Sequence, residues 1–82
     1  MWTKYLPTLD LHGFISSEAE LLINQFIFEQ YSLQTKKVVI IHGYGTGILK
    51  RVVNKVLAKN KLVKNYQTSI FNPGCTIVAI KD

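Results

Sequence analysis

The sequence predicts an α/β fold: a two-layer sandwich of order β-α-β-α-β-β with a mixed four-stranded sheet. Three observations predict this fold. Short strand-like segments alternate with two segments whose apolar residues recur at helical spacing. An Asn-Pro-Gly turn separates two strand-like segments at the end of the chain. A helix between the first two strands supplies the crossover that a parallel strand pair requires.

The first predicted strand is the segment TLDLH, which follows a lead-in over residues 1–7 and ends before Gly13. Its residues alternate, with Leu9 and Leu11 on one side and Asp10 and His12 on the other. The strand should therefore present one apolar and one polar face.

The first predicted helix covers SSEAELLINQFIFEQYSL. Ser17 and Glu20 fit the S-x-x-E capping box, in which side chains bind the free amides of a helix start. An apolar stripe at helical spacing then faces the core. Its residues are Ala19, Leu22, Ile23, Phe26 and Ile27.

The second half of the chain continues the same alternation. Residues 36–41 are apolar on both faces of a strand, which predicts a central position in the sheet. The next helix begins at Ile48 and has an apolar stripe of Ile48, Leu49, Val52, Val53, Val56 and Leu57. NYQTSIF and TIVAIK are the last two predicted strands, joined by the hairpin loop NPGC.

Length and composition indicate one globular domain over residues 1–82. The chain has 82 residues, of which 48% are hydrophobic and 18% are charged. Cys75 is the single cysteine, which excludes an internal disulfide. No apolar run approaches the roughly 18 residues of a membrane span, and no signal peptide is recognisable. We therefore expect a cytoplasmic location and no membrane partner.

The charge balance favours a polyanionic partner. Ten basic residues against five acidic ones give a net charge of +5, and such a field attracts nucleic acid. Nine of the ten cations are lysines, which bind phosphate as point charges, whereas bidentate reading of guanine usually needs arginine. We therefore favour a protein that binds the sugar–phosphate backbone of nucleic acid and reads little of the base sequence. The alternative is a basic surface that is solvated and binds no partner.

The segment HGYGTG lies where the central strand meets the second helix. Glycine allows close approach to a phosphate, and a helix N-terminus offers free amides and partial positive charge. The spacing does not match a dinucleotide fingerprint or a P-loop. We interpret the segment as a phosphate cradle; a tight turn that binds nothing is the alternative. The residues that the cradle would use are Gly43, Tyr44, Gly45, Thr46, Gly47, Lys50 and Arg51.

Polar residues also end the two strands that we expect to be parallel. Asp10 and His12 end the first strand, and His42 ends the second. The carboxyl ends of parallel strands meet at one edge of a sheet, where ligands bind in α/β folds. The sequence therefore predicts one shared site there.

Two motifs carry a family resemblance. LDLHG, from Leu9 to Gly13, followed by IIHGYGTGILK, from Ile41 to Lys50, resembles the small MutS-related (Smr) domain over most of the chain. The opening stretch YLPTLDLHG and the ending PGCTIVAI are most similar to the C-terminal Smr domain of the bacterial second MutS family. That resemblance implies a C-terminal fragment of a larger ATPase protein; a short free-standing Smr protein is the alternative.

The resemblance also implies a fold similar to the C-terminal domain of translation initiation factor three, and nicking of DNA or RNA. Asp10 and His12 match a motif associated with cleavage, and His42 begins a motif associated with substrate binding. Expected roles extend to DNA repair, recombination and ribosome quality control, with the ribosome and the parent ATPase domains as further partners. The alternative is a non-catalytic module that binds nucleic acid or ribosomes.

The expected chemistry is acid–base catalysis at histidine. Neutral imidazole transfers protons well because its pKa lies near 6.5, so His12 is the candidate base or acid, and His42 would donate a proton or bind phosphate. A two-metal site needs several converging carboxylates, and Asp10 is the one that the sequence places there. We therefore expect no metal site and no required cofactor; one weakly bound divalent cation at Asp10 is the open alternative.

Overall fold

Six elements form the part of the chain that the computed structural model describes, residues 6–82. They are β1 (Thr8–Asp10), α1 (Ser16–Ser32), β2 (Lys37–Ile41), α2 (Ile48–Lys59), β3 (Val63–Thr68) and β4 (Cys75–Ile80). The sheet has the strand order β1-β2-β4-β3, with β1 parallel to β2 and β4 antiparallel to both of its neighbours. This arrangement confirms the predicted mixed four-stranded α/β fold. Most of the predicted lead-in, residues 1–5, lies outside the described residues.

Strand β2 is central, as predicted, because it pairs with β1 on one side and with β4 on the other. Val38, Val39 and Ile40 are all at most 1% exposed. Consecutive side chains of a strand point to opposite faces, so both faces of β2 are covered. A continuous run of β-branched residues suits this position because such side chains pack well on a pleated surface.

Both helices pack against one face of the sheet. The core joins alternate strand residues, Val38 and Ile40 on β2 and Val78 and Ile80 on β4, to the buried stripes of the helices. The predicted α1 stripe is confirmed: Ala19, Ile23 and Ile27 are buried, with Leu22 and Phe26 packed at its edges. The α2 stripe is confirmed from Leu49 onwards, whereas Ile48 is the first helical residue and is 56% exposed.

The capping box of α1 lies two residues earlier than predicted, at Ile15 and Glu18 instead of Ser17 and Glu20. The helix begins at Ser16, after Ile15, and the Oε1 atom of Glu18 accepts a hydrogen bond from the Ile15 N–H at 3.3 Å. Glu18 therefore takes the capping role that the sequence assigned to Glu20. Ser17 lies inside the first turn because the acidic residue three positions after the cap determines the register.

The predicted third strand was too long at its carboxyl end. Strand β3 ends at Thr68, and the hydroxyl of Ser69 accepts hydrogen bonds from the N–H groups of Phe71 and Asn72, each at 3.2 Å. A serine side chain that binds nearby amides offers the backbone an alternative to the sheet ladder. Ile70 and Phe71 consequently lie in a loop. Among residues 6–82, no helix is long and apolar enough to cross a membrane.

Candidate nucleic-acid interface

The end of β1 lies beside the beginning of the glycine loop, as the predicted parallel pairing requires. Asp10 pairs with Ile41, and the Leu11 N–H donates to the Ile41 carbonyl at 2.9 Å. Neighbouring strands lie about 4.8 Å apart. The chain that leaves Asp10 and the chain that enters the loop at His42 therefore emerge side by side from the same edge of the sheet.

A tight turn follows Asp10 and positions His12. The Phe14 N–H donates to the Leu11 carbonyl at 3.1 Å, and Gly13 has a φ of 87°. A positive φ at the third position of a β-turn favours glycine. The Oδ1 atom of Asp10 accepts a hydrogen bond from the backbone N–H of His12 at 2.9 Å. The strand is thus two residues shorter than predicted, and the carboxylate holds the backbone of His12.

The side chains of Asp10 and His12 are both exposed to solvent. Asp10 lies in one row of the sheet with Ile41 and Cys75, because Ile41 pairs with both. Burial raises the pKa of the Cys75 thiol, and the negative charge of Asp10 raises it further. Within residues 6–82, no three His, Cys, Asp or Glu side chains are grouped so that they could hold a metal ion.

His42 lies inside the molecule, although the role that the sequence predicted for it, proton donation or phosphate binding, requires contact with substrate. Its side chain is 5% exposed, and its Nε2 atom is 2.9 Å from the Oγ1 atom of Thr76. The Nδ1 atom is 3.2 Å from the carbonyl oxygen of Gly43. Since a carbonyl only accepts, Nδ1 carries the proton, and Nε2 accepts the hydrogen bond from the Thr76 hydroxyl.

The environment of His42 favours the neutral imidazole. Burial lowers its pKa below the ordinary value of 6.5; the nearby charge of Lys50 lowers it further, and the hydrogen bond to Gly43 partly opposes the shift. The burial of His42 could have been predicted from strand periodicity, because residues 38, 40 and 42 alternate along the strand and share the face that packs on the helices.

The glycine loop adopts conformations that require glycine at its two ends. Gly43 has a φ of 81° and Gly47 a φ of 85°, in the left-handed region that side chains disfavour. Gly47 caps α2 without a side chain, and the first helical hydrogen bond runs from the Arg51 N–H to its carbonyl at 3.0 Å. The amides of residues 48–50 precede this bond and have no acceptor within the helix.

Basic side chains lie beside these amides. Lys50 is half-buried and Arg51 is exposed, and the first turn of α2 has no acidic residue. Thr46 and Gly45 lie at the exposed middle of the loop. A helix N-terminus of this kind attracts anions through its free amides and its dipole.

The loop from Ser69 to Gly74, hereafter the β3–β4 loop, supports the glycine loop. The carbonyl of Gly74 accepts hydrogen bonds from the N–H groups of His42, at 2.9 Å, and Gly43, at 3.0 Å. The Tyr44 hydroxyl donates to the Oδ1 atom of Asn72 at 2.8 Å. Asn72, Gly74 and Thr76 were not among the predicted site residues, although the Asn-Pro-Gly turn was a signal in the sequence that pointed to this loop.

The described residues define a small two-layer α/β domain whose parallel strand pair ends at a polar, glycine-rich edge. A family model described as Smr domain matches residues 9–81. The chain belongs to the Smr domain family, as its two motifs predicted.

Relatives of this chain include proteins named Endonuclease MutS2. The chain is 38% identical over 72 residues to a protein named Endonuclease MutS2 of Clostridium tetani, a match that covers 88% of this chain and 9% of the relative. It is 33% identical over 82 residues to Endonuclease MutS2 of Lactococcus lactis, covering 96% of this chain and 11% of the relative. The chain therefore spans about a tenth of the length of these relatives.

Solved structures share the fold. The Smr domain of Thermus thermophilus MutS2 has a TM-score of 0.90 and 28% identity, covering 94% of this chain and all of that domain. YdaL, a stand-alone small MutS-related protein of Escherichia coli, has a TM-score of 0.86 at 24% identity, covering 92% of this chain and 64% of that protein. The second likeness concerns the fold alone.

Proposed function

We propose that this Smr domain binds DNA or RNA and nicks the phosphodiester backbone largely independently of sequence. The observation that carries the proposal is that the end of β1, at Asp10 and Leu11, lies beside Ile41, from which the chain enters the loop from Gly43 to Gly47. The name Endonuclease MutS2, borne by relatives of which this chain matches a small part, supports the same activity. The net charge of +5 supports a polyanionic substrate.

In this proposal the glycine loop binds one phosphate. The amides of residues 48–50 donate hydrogen bonds to its oxygens, and Lys50 and Arg51 add positive charge. Hydrogen-bond donors fixed before substrate binding are effective because they need no reorganisation when charge develops on the phosphate. Gly43, Tyr44, Gly45, Thr46 and Gly47 shape the surface that the sugar–phosphate backbone approaches.

His12 is the proposed proton-transfer group because it is exposed and follows the strand end that lies beside the start of this loop. As a base it removes a proton from water, or from the 2′-OH if the substrate is RNA. The activated oxygen attacks phosphorus, the bond to the leaving oxygen breaks, and that oxygen takes up a proton. Asp10 is a positioning residue in this scheme, since its carboxylate binds the His12 backbone amide.

His42 has a positioning role in the same scheme. Its buried, neutral imidazole holds the start of the glycine loop against Thr76 and is poorly placed to protonate a leaving group. This assignment replaces the catalytic role that the sequence suggested for His42.

A binding module without catalysis is the second candidate. The observation that favours it is the burial of His42, because that leaves His12 as the exposed imidazole of the candidate site. Cleavage needs one proton transfer from the nucleophile and one to the leaving oxygen. A single exposed histidine must carry out both transfers, or water must carry out one of them. Such a module would bind nucleic acid or ribosomes through phosphate contacts.

The deciding experiment incubates the domain with end-labelled single-stranded RNA, duplex DNA and branched DNA, and maps the cut ends. The proposal expects cleavage by the wild type, loss of cleavage in His12→Ala, and equal binding by both proteins. Binding without cleavage by the wild type would establish the second candidate. A substrate with 2′-deoxy at the cut site distinguishes attack by the 2′-OH, which it blocks, from attack by water.

The chemistry requires no metal in this proposal, because Asp10 is the single carboxylate that the candidate site places beside His12. Cleavage that persists in EDTA would support this, and complete loss that Mg²⁺ restores would establish the alternative of one divalent cation at Asp10. Parent ATPase domains and the ribosome are the further proposed partners, with roles in DNA repair or ribosome quality control in the cytoplasm.

A further inference from the structure

The β3–β4 loop presents two adjacent apolar side chains to solvent. Ile70 is 87% exposed and Phe71 is 77% exposed. Scattered apolar residues on a protein surface are ordinary. These two are adjacent, however, and they lie at the same edge of the sheet as the candidate site, because Ser69 pairs with Cys75 and Cys75 shares a row with Asp10.

Hydrogen bonds hold this loop in one conformation. The Ser69 hydroxyl accepts from the N–H groups of Phe71 and Asn72, and the Asn72 side chain accepts from the Gly74 N–H at 3.0 Å. The Cys75 N–H donates to the Asn72 carbonyl at 3.0 Å. An apolar side chain on an ordered loop loses little conformational freedom when it binds, so the loop is prepared for contact.

The loop is also tied directly to the proposed phosphate cradle. The Tyr44 hydroxyl binds the Asn72 side chain, and Tyr44 is itself 71% exposed. Phe71 precedes Asn72 in the same loop, so two exposed aromatic residues belong to the two linked loops, and Arg51 is in the first turn of the helix that follows the glycine loop. Aromatic rings beside positive charge are the arrangement that single-stranded nucleic acid recognises, because bases stack on the rings while cations bind the phosphates.

We propose that Phe71, assisted by Ile70, stacks on an unpaired base of the nucleic acid whose phosphate occupies the glycine loop. This inference rests on the proposed function and adds a specificity: the domain should prefer single-stranded or locally unpaired substrate to continuous duplex. In a duplex the bases are stacked on one another and their faces are not available to the loop.

The test measures affinity by fluorescence anisotropy for a labelled single-stranded oligonucleotide and for a blunt duplex of the same sequence. Phe71→Ala should weaken single-strand binding about 5- to 150-fold, the range that corresponds to one base–aromatic stacking contact, and should change duplex binding little. Phe71→Trp should retain the affinity, because its larger ring also stacks. Its added fluorescence, measured against wild type containing Trp2, should be quenched by the single strand.

Phe28→Ala is the matched control, since Phe28 is 63% exposed on α1, in the helix layer. Equal single-strand binding by Phe71→Ala, Phe28→Ala and wild type would overturn the stacking contact while leaving the proposed function intact. Equal weakening of single-strand and duplex binding by Phe71→Ala would overturn the preference for an unpaired base. A wild type that binds neither oligonucleotide would overturn the proposed function itself.

Discussion

The Nε2 atom of His42 and the Oγ1 atom of Thr76 lie 2.9 Å apart in the buried layer between sheet and helices. This contact joins the end of β2 to the beginning of β4, two segments 34 residues apart in the chain. It holds the backbone from which the glycine loop departs.

Removing the Thr76 hydroxyl should therefore destabilise the fold. Thr76→Val keeps the side-chain shape but leaves the buried His42 nitrogen without a donor, and an unsatisfied buried polar group costs about 1–3 kcal/mol. The free energy of unfolding in urea is the measurement. Thr8→Val, at an exposed threonine of β1, is the control and should change stability by less than about 0.5 kcal/mol. Equal effects of the two substitutions would contradict the assigned contact.

The burial of His42 also predicts a pH dependence of stability. Its pKa is lowered in the folded state, so the unfolded chain binds more protons between that lowered value and about 6.5. The stabilisation is complete above pH 6.5 and is lost as pH falls towards the folded pKa. Unfolding free energies of wild type and His42→Gln, measured from pH 7.5 to 5, should converge as the pH falls. A constant difference between the two proteins across this range would contradict the prediction.

Substitutions at Asp10 and at His12 should lower the cleavage rate to different extents. His12→Ala removes the proposed proton-transfer group and should lower the cleavage rate about 10²- to 10⁴-fold. Asp10→Asn retains an oxygen that accepts from the His12 amide and should be milder than Asp10→Ala. Initial cleavage rates and binding constants are compared for all three variants, with binding expected to stay near the wild-type value. An Asp10→Asn variant as inactive as Asp10→Ala would show that the negative charge, not the turn, is needed.

Gly47 and Gly45 form a matched pair within the loop, because an added Cβ would meet nothing within 4 Å at either position. Gly47 has a φ of 85°, whereas Gly45 has no positive φ. Gly47→Ala should therefore cost about 1–2 kcal/mol through backbone strain alone, and Gly45→Ala should cost less than about 0.5 kcal/mol. Thermal unfolding checks this difference, since about 1 kcal/mol shifts the Tm of a domain this small by about 4–8 °C.

Salt dependence tests the number of phosphates that the domain contacts. With about four phosphates engaged, the plot of log affinity against log salt should have a slope of about −3 to −4. Lys50→Ala should make the slope shallower by about 0.7–0.9, the value for one lost phosphate contact. Lys61→Ala carries the same charge change on an exposed lysine after α2 and is the control. Equal slopes for the two variants would show that Lys50 does not contact a phosphate.

The sequence predicted the architecture well because apolar periodicity reports which residues face the core. The stripe through Ala19, Ile23 and Ile27 and the doubly buried β2 follow directly from that periodicity. The adjacency of β1 and the glycine loop followed from the parallel pairing that a helical crossover imposes.

The predicted element boundaries were wrong where a side chain binds the nearby backbone. Glu18 took the cap of α1, and Ser69 ended β3 before the apolar residues that follow it. Neither outcome alters the apolar pattern, since local side-chain hydrogen bonds compete with helix and ladder independently of it. The burial of His42 was missed for another reason: the prediction used its place at the end of a strand and did not consider which face of the sheet its side chain shares with Val38 and Ile40.

A Cβ atom added at Gly74 would lie 3.4 Å from the Cα and carbonyl carbon of Gly43. The backbones of two loops that are distant in the sequence are thus in near contact. A longer or bulkier turn between the last two strands would displace the glycine segment with it. Protein engineers who exchange substrate-contacting loops between Smr domains should accordingly transplant both segments together, as one cassette.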